Sequence, residues 1–292
     1  MKKMKRILIA LDLSTMDDNL ISYSWWFAKS VKAEKIYFIY CARELREINE
    51  YSSKGGEDQP RDEIIREHIS KAVQQQRPSE MMEYEIIVDQ NNPLEGLLYW
   101  KDVKKIDLLI VGKKKSSSGS GIISKQFVRQ SDCPVLFVPE GAKMAIHKIL
   151  VPIDFSENSG YALHQGTYIQ PYFGDPEIIC MNVFFAAPEK YGLHETDSFT
   201  NMRLIATSQK YQQFIAPFTK EGKKIKPYFK PDNDFNTIKI ILATAEELNA
   251  GLIIIGAIGH SKIKLLTVGS TAEKMMLSDI TVPLLIVKNH PS

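Results

Sequence analysis

Cysteine is scarce: Cys41, Cys133 and Cys180 are the only three in 292 residues, and each sits in an apolar, strand-like run. A sparse, odd set excludes a disulfide framework and reads as buried thiols in a reducing compartment. Charge of one sign is scarce too. Lys and Arg number 37 against 35 Asp and Glu, a formal net of +2 that is too small for a nucleic-acid coat or a membrane-binding surface. No run approaches the roughly 18–20 apolar residues that span a bilayer. The basic start (Met1 to Arg6) mimics a signal peptide, but the apolar run behind it is cut at Asp12, too soon for an h-region. His68, His147, His164, His194 and His290 show no metal-ligand spacing with each other or with the cysteines. A Gly-Lys-Ser/Thr phosphate loop is also missing. These absences point to a cytoplasmic protein that binds no nucleic acid, no membrane and no structural metal.

What is present is one unit written twice. Arg6–Ser14 (RILIALDLS) returns as Lys148–Ser156 (KILVPIDFS), 142 residues later. Ile106–Gly112 returns as Ala250–Gly256 after 144 residues, and Cys133–Val138 as Val282–Val287 after 149. A period this long means tandem domains rather than a solenoid. We place them at residues 1–142 and 143–292, with the join in the small and polar segment Pro139–Ala145.

Each half alternates apolar runs with helical patterns. In the first, strands are expected at Arg6–Leu11, Ile36–Cys41, Met82–Val88, Ile106–Val111 and Pro134–Val138. Ser14 with Asp17 reads as a helix cap, and Pro60 as a helix start ahead of Ile64, Ile65, Ile69 and Val73. In the second, strands are expected at Ile149–Ile153, Glu177–Val183, Ile225–Phe229, Leu252–Ile255 and Leu284–Val287. Helices are expected near Asn158–Gln170, Thr200–Lys220, Thr237–Asn249 and Gly269–Leu277. Continuous apolar strands alternating with helices predict α/β domains, each a parallel sheet covered on both faces.

The chemistry gathers between Leu252 and Ser270 (LIIIGAIGHSKIKLLTVGS). A buried strand ends at Gly256, Gly259 follows after two residues, and Gly269-Ser270-Thr271 after nine more. Glycine leaves no Cβ between backbone and ligand, and a helix start with free N–H groups beside two hydroxyls suits a phosphate. The spacing Gly-x2-Gly-x9-Gly-Ser, running on through SerThrAlaGluLysMetMet to Val282–Val287, resembles the nucleotide-binding signature of the universal stress protein family.

The resemblance implies a doubly wound five-stranded sheet of order 3-2-1-4-5 in each half. It also implies that the last strands pair antiparallel across a pseudo-twofold axis, making the chain an intramolecular pseudo-dimer. It further implies that Ile153 and Asp154 sit by the adenine and ribose, and that a backbone group at Val183 reads the adenine edge. Ile255, Gly256, Gly259 and His260 would then meet ribose and phosphate, and Gly269, Ser270 and Thr271 would hold the phosphates. Topology gives a second reason to join Asp154 and Gly256, because ligands bind where the strand order reverses. Asp154 also reads as a turn residue capping the first helix, and His260 equally as an exposed loop histidine.

The first half departs from the pattern. Gly112 is kept, but Lys115 stands at the position of Gly259, and Lys125 and Gln126 at those of Gly269 and Ser270. Long cationic side chains there block the path of the phosphates, although the lysines and serines of that loop also offer another way to grip an anion. The expectation is therefore one ATP or AMP per chain, in the second half, with any magnesium held by the phosphates. It acts as a stress-response binding module, not an enzyme, with an unidentified protein partner. Slow hydrolysis and further homodimerisation stay open, and the rival reading is an adenylating or phosphoryl-transfer enzyme on the same scaffold.

Overall fold

The two copies of the repeat fold as two units, Lys2–Met144 and Ala145–Ser292. A computed structural model describes residues 3–41, 60–78, 82–115, 122–186, 196–220, 225–257 and 268–288. The first unit carries β1 (Arg6–Leu11), α1 (Met16–Ser30), β2 (Lys35–Cys41), α2 (Arg61–Gln75), β3 (Glu83–Asp89), α3 (Pro93–Val103), β4 (Leu108–Lys113), α4 (Ile122–Gln130) and β5 (Val135–Pro139). The second repeats the order. It has β6 (Lys148–Pro152), α5 (Glu157–Ile169), a 3-10 turn (Gln170–Phe173), β7 (Glu177–Phe185), α6 (Thr196–Lys220), β8 (Ile225–Asp232), α7 (Thr237–Glu247), β9 (Leu252–Gly256), α8 (Ser270–Leu277) and β10 (Leu284–Val287).

The strand order is β3-β2-β1-β4-β5 in the first unit and β8-β7-β6-β9-β10 in the second. All pairings inside each unit are parallel. Both sheets therefore have the 3-2-1-4-5 order. Ile7, Leu8, Ile9, Leu108, Leu109, Ile110, Ile149, Leu150, Leu252 and Ile253 are fully buried, as strands covered on both faces require.

In the second unit the crossovers that follow β6 and β7 run one way along the sheet, and those that follow β8 and β9 run back. With right-handed crossovers, α5 and α6 must lie on one face and α7 and α8 on the other. Side chains agree: the 4.4 Å ring contact of His164 with Phe218 ties α5 to α6.

The caps differ between the copies. Ser156 caps α5 in the ordinary way, its Oγ accepting the Ser159 N–H at 3.2 Å. The cap expected from Ser14 and Asp17 forms only in part. Thr15 occupies the cap position without a side-chain bond, and Asp17 reaches back to accept the Leu13 N–H at 2.8 Å.

Cys133 and Cys180 are buried as expected, whereas Cys41, at the end of β2, is half-buried. Trp25 lies in the core between Phe38 and Tyr84, while Trp26 is half-buried against Tyr23. Among the described residues no helix is long and apolar enough to cross a membrane, and no cluster of three metal-ligating side chains occurs.

Candidate functional site

The reversal in strand order of the second unit lies between β6 and β9, which pair through Ile149–Leu252 and Leu150–Ile253. A cavity of about 260 Å³ opens there, beyond the carboxyl ends of β6, β7 and β9. Eight expected site residues line it together: Ile153, Asp154, Val183, Ile255, Gly256, Gly269, Ser270 and Thr271. Gly259 and His260 lie outside the described residues.

One wall is the turn after β6. Asp154 Oδ1 accepts the Ser156 N–H at 3.0 Å, and Phe155 between them is left-handed at φ 64°. Such a φ is uncommon for a bulky residue, so the carboxylate bridge is what keeps the turn sharp. Asp154 thus acts as a turn residue and faces the cavity as well; Ser156 does the helix capping. The base of the turn is fixed from β7: the Ile153 N–H donates to the Met181 carbonyl at 2.7 Å, and buried Asn182 donates its Nδ2 to the Ile153 carbonyl at 2.7 Å.

The opposite wall is the start of α8. Gly269 donates its N–H to the Ala257 carbonyl at 2.7 Å, pinning the helix start to the end of β9. Its φ of −63° and ψ of 148° are open to any residue, so glycine is not needed there for backbone conformation. The first intrahelical bond comes from the Glu273 N–H to the Gly269 carbonyl, which leaves the N–H groups of Ser270, Thr271 and Ala272 outside the helical ladder. These three residues border the cavity, where the positive end of the helix dipole favours an anion. Gly256 is required for packing: a Cβ there would lie 2.8 Å from the Asn158 carbonyl oxygen.

The third wall, Thr237 and Ile241 from α7, is absent from the sequence reading, as are Met181 and Asn182. Thr237 donates its hydroxyl to Asp232 Oδ2 at 2.7 Å; Asp232 Oδ1 accepts the N–H groups of Asp234 and Asn236. Burial opposes ionisation of Asp232, but the Thr237 hydroxyl and these backbone donors outweigh it and hold the carboxyl below its usual range. The signal was available: an Asp at a strand end, five residues before a Thr that opens an apolar helix. Asp89 ends β3 in the same way, its Oδ1 accepting the Asn91 N–H at 2.7 Å.

The equivalent place in the first unit is built differently. The turn is the same, with Asp12 Oδ1 accepting the Ser14 N–H at 3.2 Å and Leu13 left-handed at φ 59°. Here, however, Lys114 Nζ lies 2.5 Å from Asp12 Oδ2. Burial works against the Asp12 charge, but Lys114 and Ser14 together hold its carboxyl below the ordinary value. The Met16 sulfur covers Gly112, 2.9 Å from where a Cβ would sit.

The comparison made with Lys125 is also shifted. Lys125 is the fourth residue of α4, not its cap, and the buried pair Phe127–Val128 matches Met275–Met276 of α8. Counted from these pairs, Ile122 and Ile123 stand where the second unit has Ser270 and Thr271. Fixed sequence offsets missed this because the segments before the two helices differ in length.

A model of the universal stress protein family matches residues 3–139. A universal stress protein from Archaeoglobus fulgidus DSM 4304 has a similar structure, with TM-score 0.66 and 19% identity over 99% of this chain and 100% of that one. A functionally unknown protein from Pseudomonas aeruginosa PAO1 gives TM-score 0.62 and 14% identity over 98% and 93% of the two chains. At such identities the likeness is one of fold. No curated protein matches this chain.

Proposed function

Since the chain belongs to the universal stress protein family, we propose that it binds one adenine nucleotide, ATP or AMP, in the cavity of its second unit. The observation that carries this reading is the pairing, across one cavity, of an acidic turn at Asp154 with the N-terminus of α8 at Ser270. A nucleotide has complementary ends: ribose hydroxyls that donate to a carboxylate, and phosphates that accept N–H groups. Ile153, Met181, Val183 and Ile241 line the same cavity and would surround the base. The phosphates would lie against the N–H groups of Ser270, Thr271 and Ala272, with any magnesium held by the phosphates themselves.

The role we propose is binding and signalling of nucleotide state rather than turnover. Among the described residues lining the cavity, Asp154 is the one ionisable side chain, and it is engaged by the Ser156 N–H. Ligand that ties the Asp154 turn to the α8 start stabilises one arrangement of this surface, and a stress-response partner protein reads that arrangement. Thermal unfolding of the full chain tests the reading: ATP or AMP should raise the midpoint in proportion to the logarithm of concentration, and an unchanged midpoint at millimolar nucleotide would reject it.

A further inference from the structure

The polarity of Thr237 bears on which base the cavity accepts. A hydroxyl has one proton to give, and Thr237 gives it to Asp232 Oδ2 at 2.7 Å. The acceptor cannot return a proton, because Asp232 is a carboxylate that already takes the Asp234 and Asn236 N–H groups. Thr237 lines the cavity, and with its proton committed to Asp232 its hydroxyl has only lone pairs to offer a ligand there.

Its position in the fold assigns it to the base. Asp232, which anchors it, pairs with Phe185 on β7, two residues past Val183. The α8 start, where phosphates would lie, is fixed to β9. Strands β7 and β9 flank β6 on opposite sides. Two strand spacings, about 10 Å, separate those ends of the cavity. Ile241, one helical turn beyond Thr237, adds an apolar surface of the kind a base face covers.

We infer that Thr237, polarised by Asp232, is a specificity-determining residue that selects a purine with an exocyclic 6-amino group over a 6-oxo purine. The inference rests on the proposed nucleotide site. The amino group donates to the Thr237 oxygen, whereas a 6-carbonyl sets two acceptors against each other with no proton between them. A buried mismatch of that kind costs about ten- to a hundredfold in affinity.

The test is calorimetric titration of the full chain with ATP and with ITP, which differ at position 6 and in the proton on N1, so the change in their ratio on altering Thr237 is what reports the 6-substituent contact. Wild type should bind ATP at least about tenfold tighter. Thr237→Val should lose most of that ratio through weaker ATP binding, and Thr237→Ser, which keeps the hydroxyl, should restore it. Asp232→Asn gives a sharper readout. Its amide nitrogen can donate to Thr237, releasing the hydroxyl proton toward the ligand, so the preference should narrow or invert toward ITP. Equal binding of ATP and ITP by wild type, or an ATP-to-ITP ratio unmoved in both Thr237→Val and Asp232→Asn, overturns the inference while leaving nucleotide binding standing. Absence of binding to either nucleotide overturns the site itself. Far-ultraviolet circular dichroism of each variant confirms that a changed ratio comes from a folded chain.

Discussion

Lys114 and Asp12 form an ion pair in the first unit, Nζ to Oδ2 at 2.5 Å, at the turn whose copy in the second unit, Asp154, faces a cavity. The two aspartates occupy the same left-handed turn and make the same bond to the serine two residues on; Asp12 pairs with Lys114, and Asp154 lines the cavity.

That difference predicts an asymmetric response to the same substitution. Asp154→Ala should weaken ATP binding by roughly tenfold or more, the usual effect of losing a charge-assisted hydrogen bond. Asp12→Ala should leave ATP affinity within about twofold, since distant sites act independently. Calorimetric titration of both variants checks the pair; equal losses would place a nucleotide in the first unit as well.

Gly269 offers a way to separate binding from folding. Its backbone accepts any residue, and an aspartate there would cap α8 with its own carboxylate. Gly269→Asp is expected to keep or slightly raise thermal stability, by a few tenths of a kcal/mol. The same carboxylate would take the N–H groups and repel the phosphates, abolishing the ATP-induced shift in melting temperature.

Gly256 should behave in the opposite way. A Cβ at this position would approach the Asn158 carbonyl oxygen to 2.8 Å and its carbon to 2.9 Å, and backbone cannot move aside as a side chain can. Gly256→Ala should therefore destabilise the chain by about 1–3 kcal/mol, measured by urea unfolding in the absence of nucleotide.

Asp17 makes stability depend on pH. Burial, and then the neighbouring Asp12 carboxylate, push its carboxyl up to about 7. The folded state thus holds a proton that the unfolded chain gives up near the ordinary aspartate value, about 3.9. Between those values folding takes up a proton, so this contribution to stability is complete at low pH and is lost as pH rises toward 7. Unfolding midpoints should fall from pH 5 to pH 8 more steeply in wild type than in Asp17→Asn. Parallel profiles for the two proteins would show that Asp17 does not titrate in this range.

The strands were legible because the repeat is written in buried strands, whose apolar runs tolerate little change; their order came from the family resemblance. Arg6–Leu11 and Leu284–Val287 have the extents that the sequence pattern indicates. Elements that depend on partners were less legible. Strand β8 continues past Phe229 to Asp232 because it pairs with β7 through Phe185, and no periodicity in Lys230–Asp232 signals that. Of the eight site residues, Gly256, Gly269, Ser270 and Thr271 follow from the glycine spacing and Asp154 from the switch point as well, whereas Ile153, Val183 and Ile255 come from the family resemblance. Thr237, Ile241 and Asn182 follow from none of these, because their place at the cavity comes from the α7 crossover and from a side-chain bond to the Ile153 carbonyl. The register of α4 was misjudged for a related reason. Loop length is free to drift, so the buried pair Phe127–Val128, rather than a constant offset, identifies Ile122 and Ile123 as the counterparts of Ser270 and Thr271.

The central claim is that a single nucleotide site exists, built by the second unit. Calorimetric titration of the full chain with ATP measures it directly. The account predicts saturation at one nucleotide per chain, with all heat lost in Gly269→Asp. Two nucleotides per chain, or one that still binds undiminished in Gly269→Asp, would contradict it.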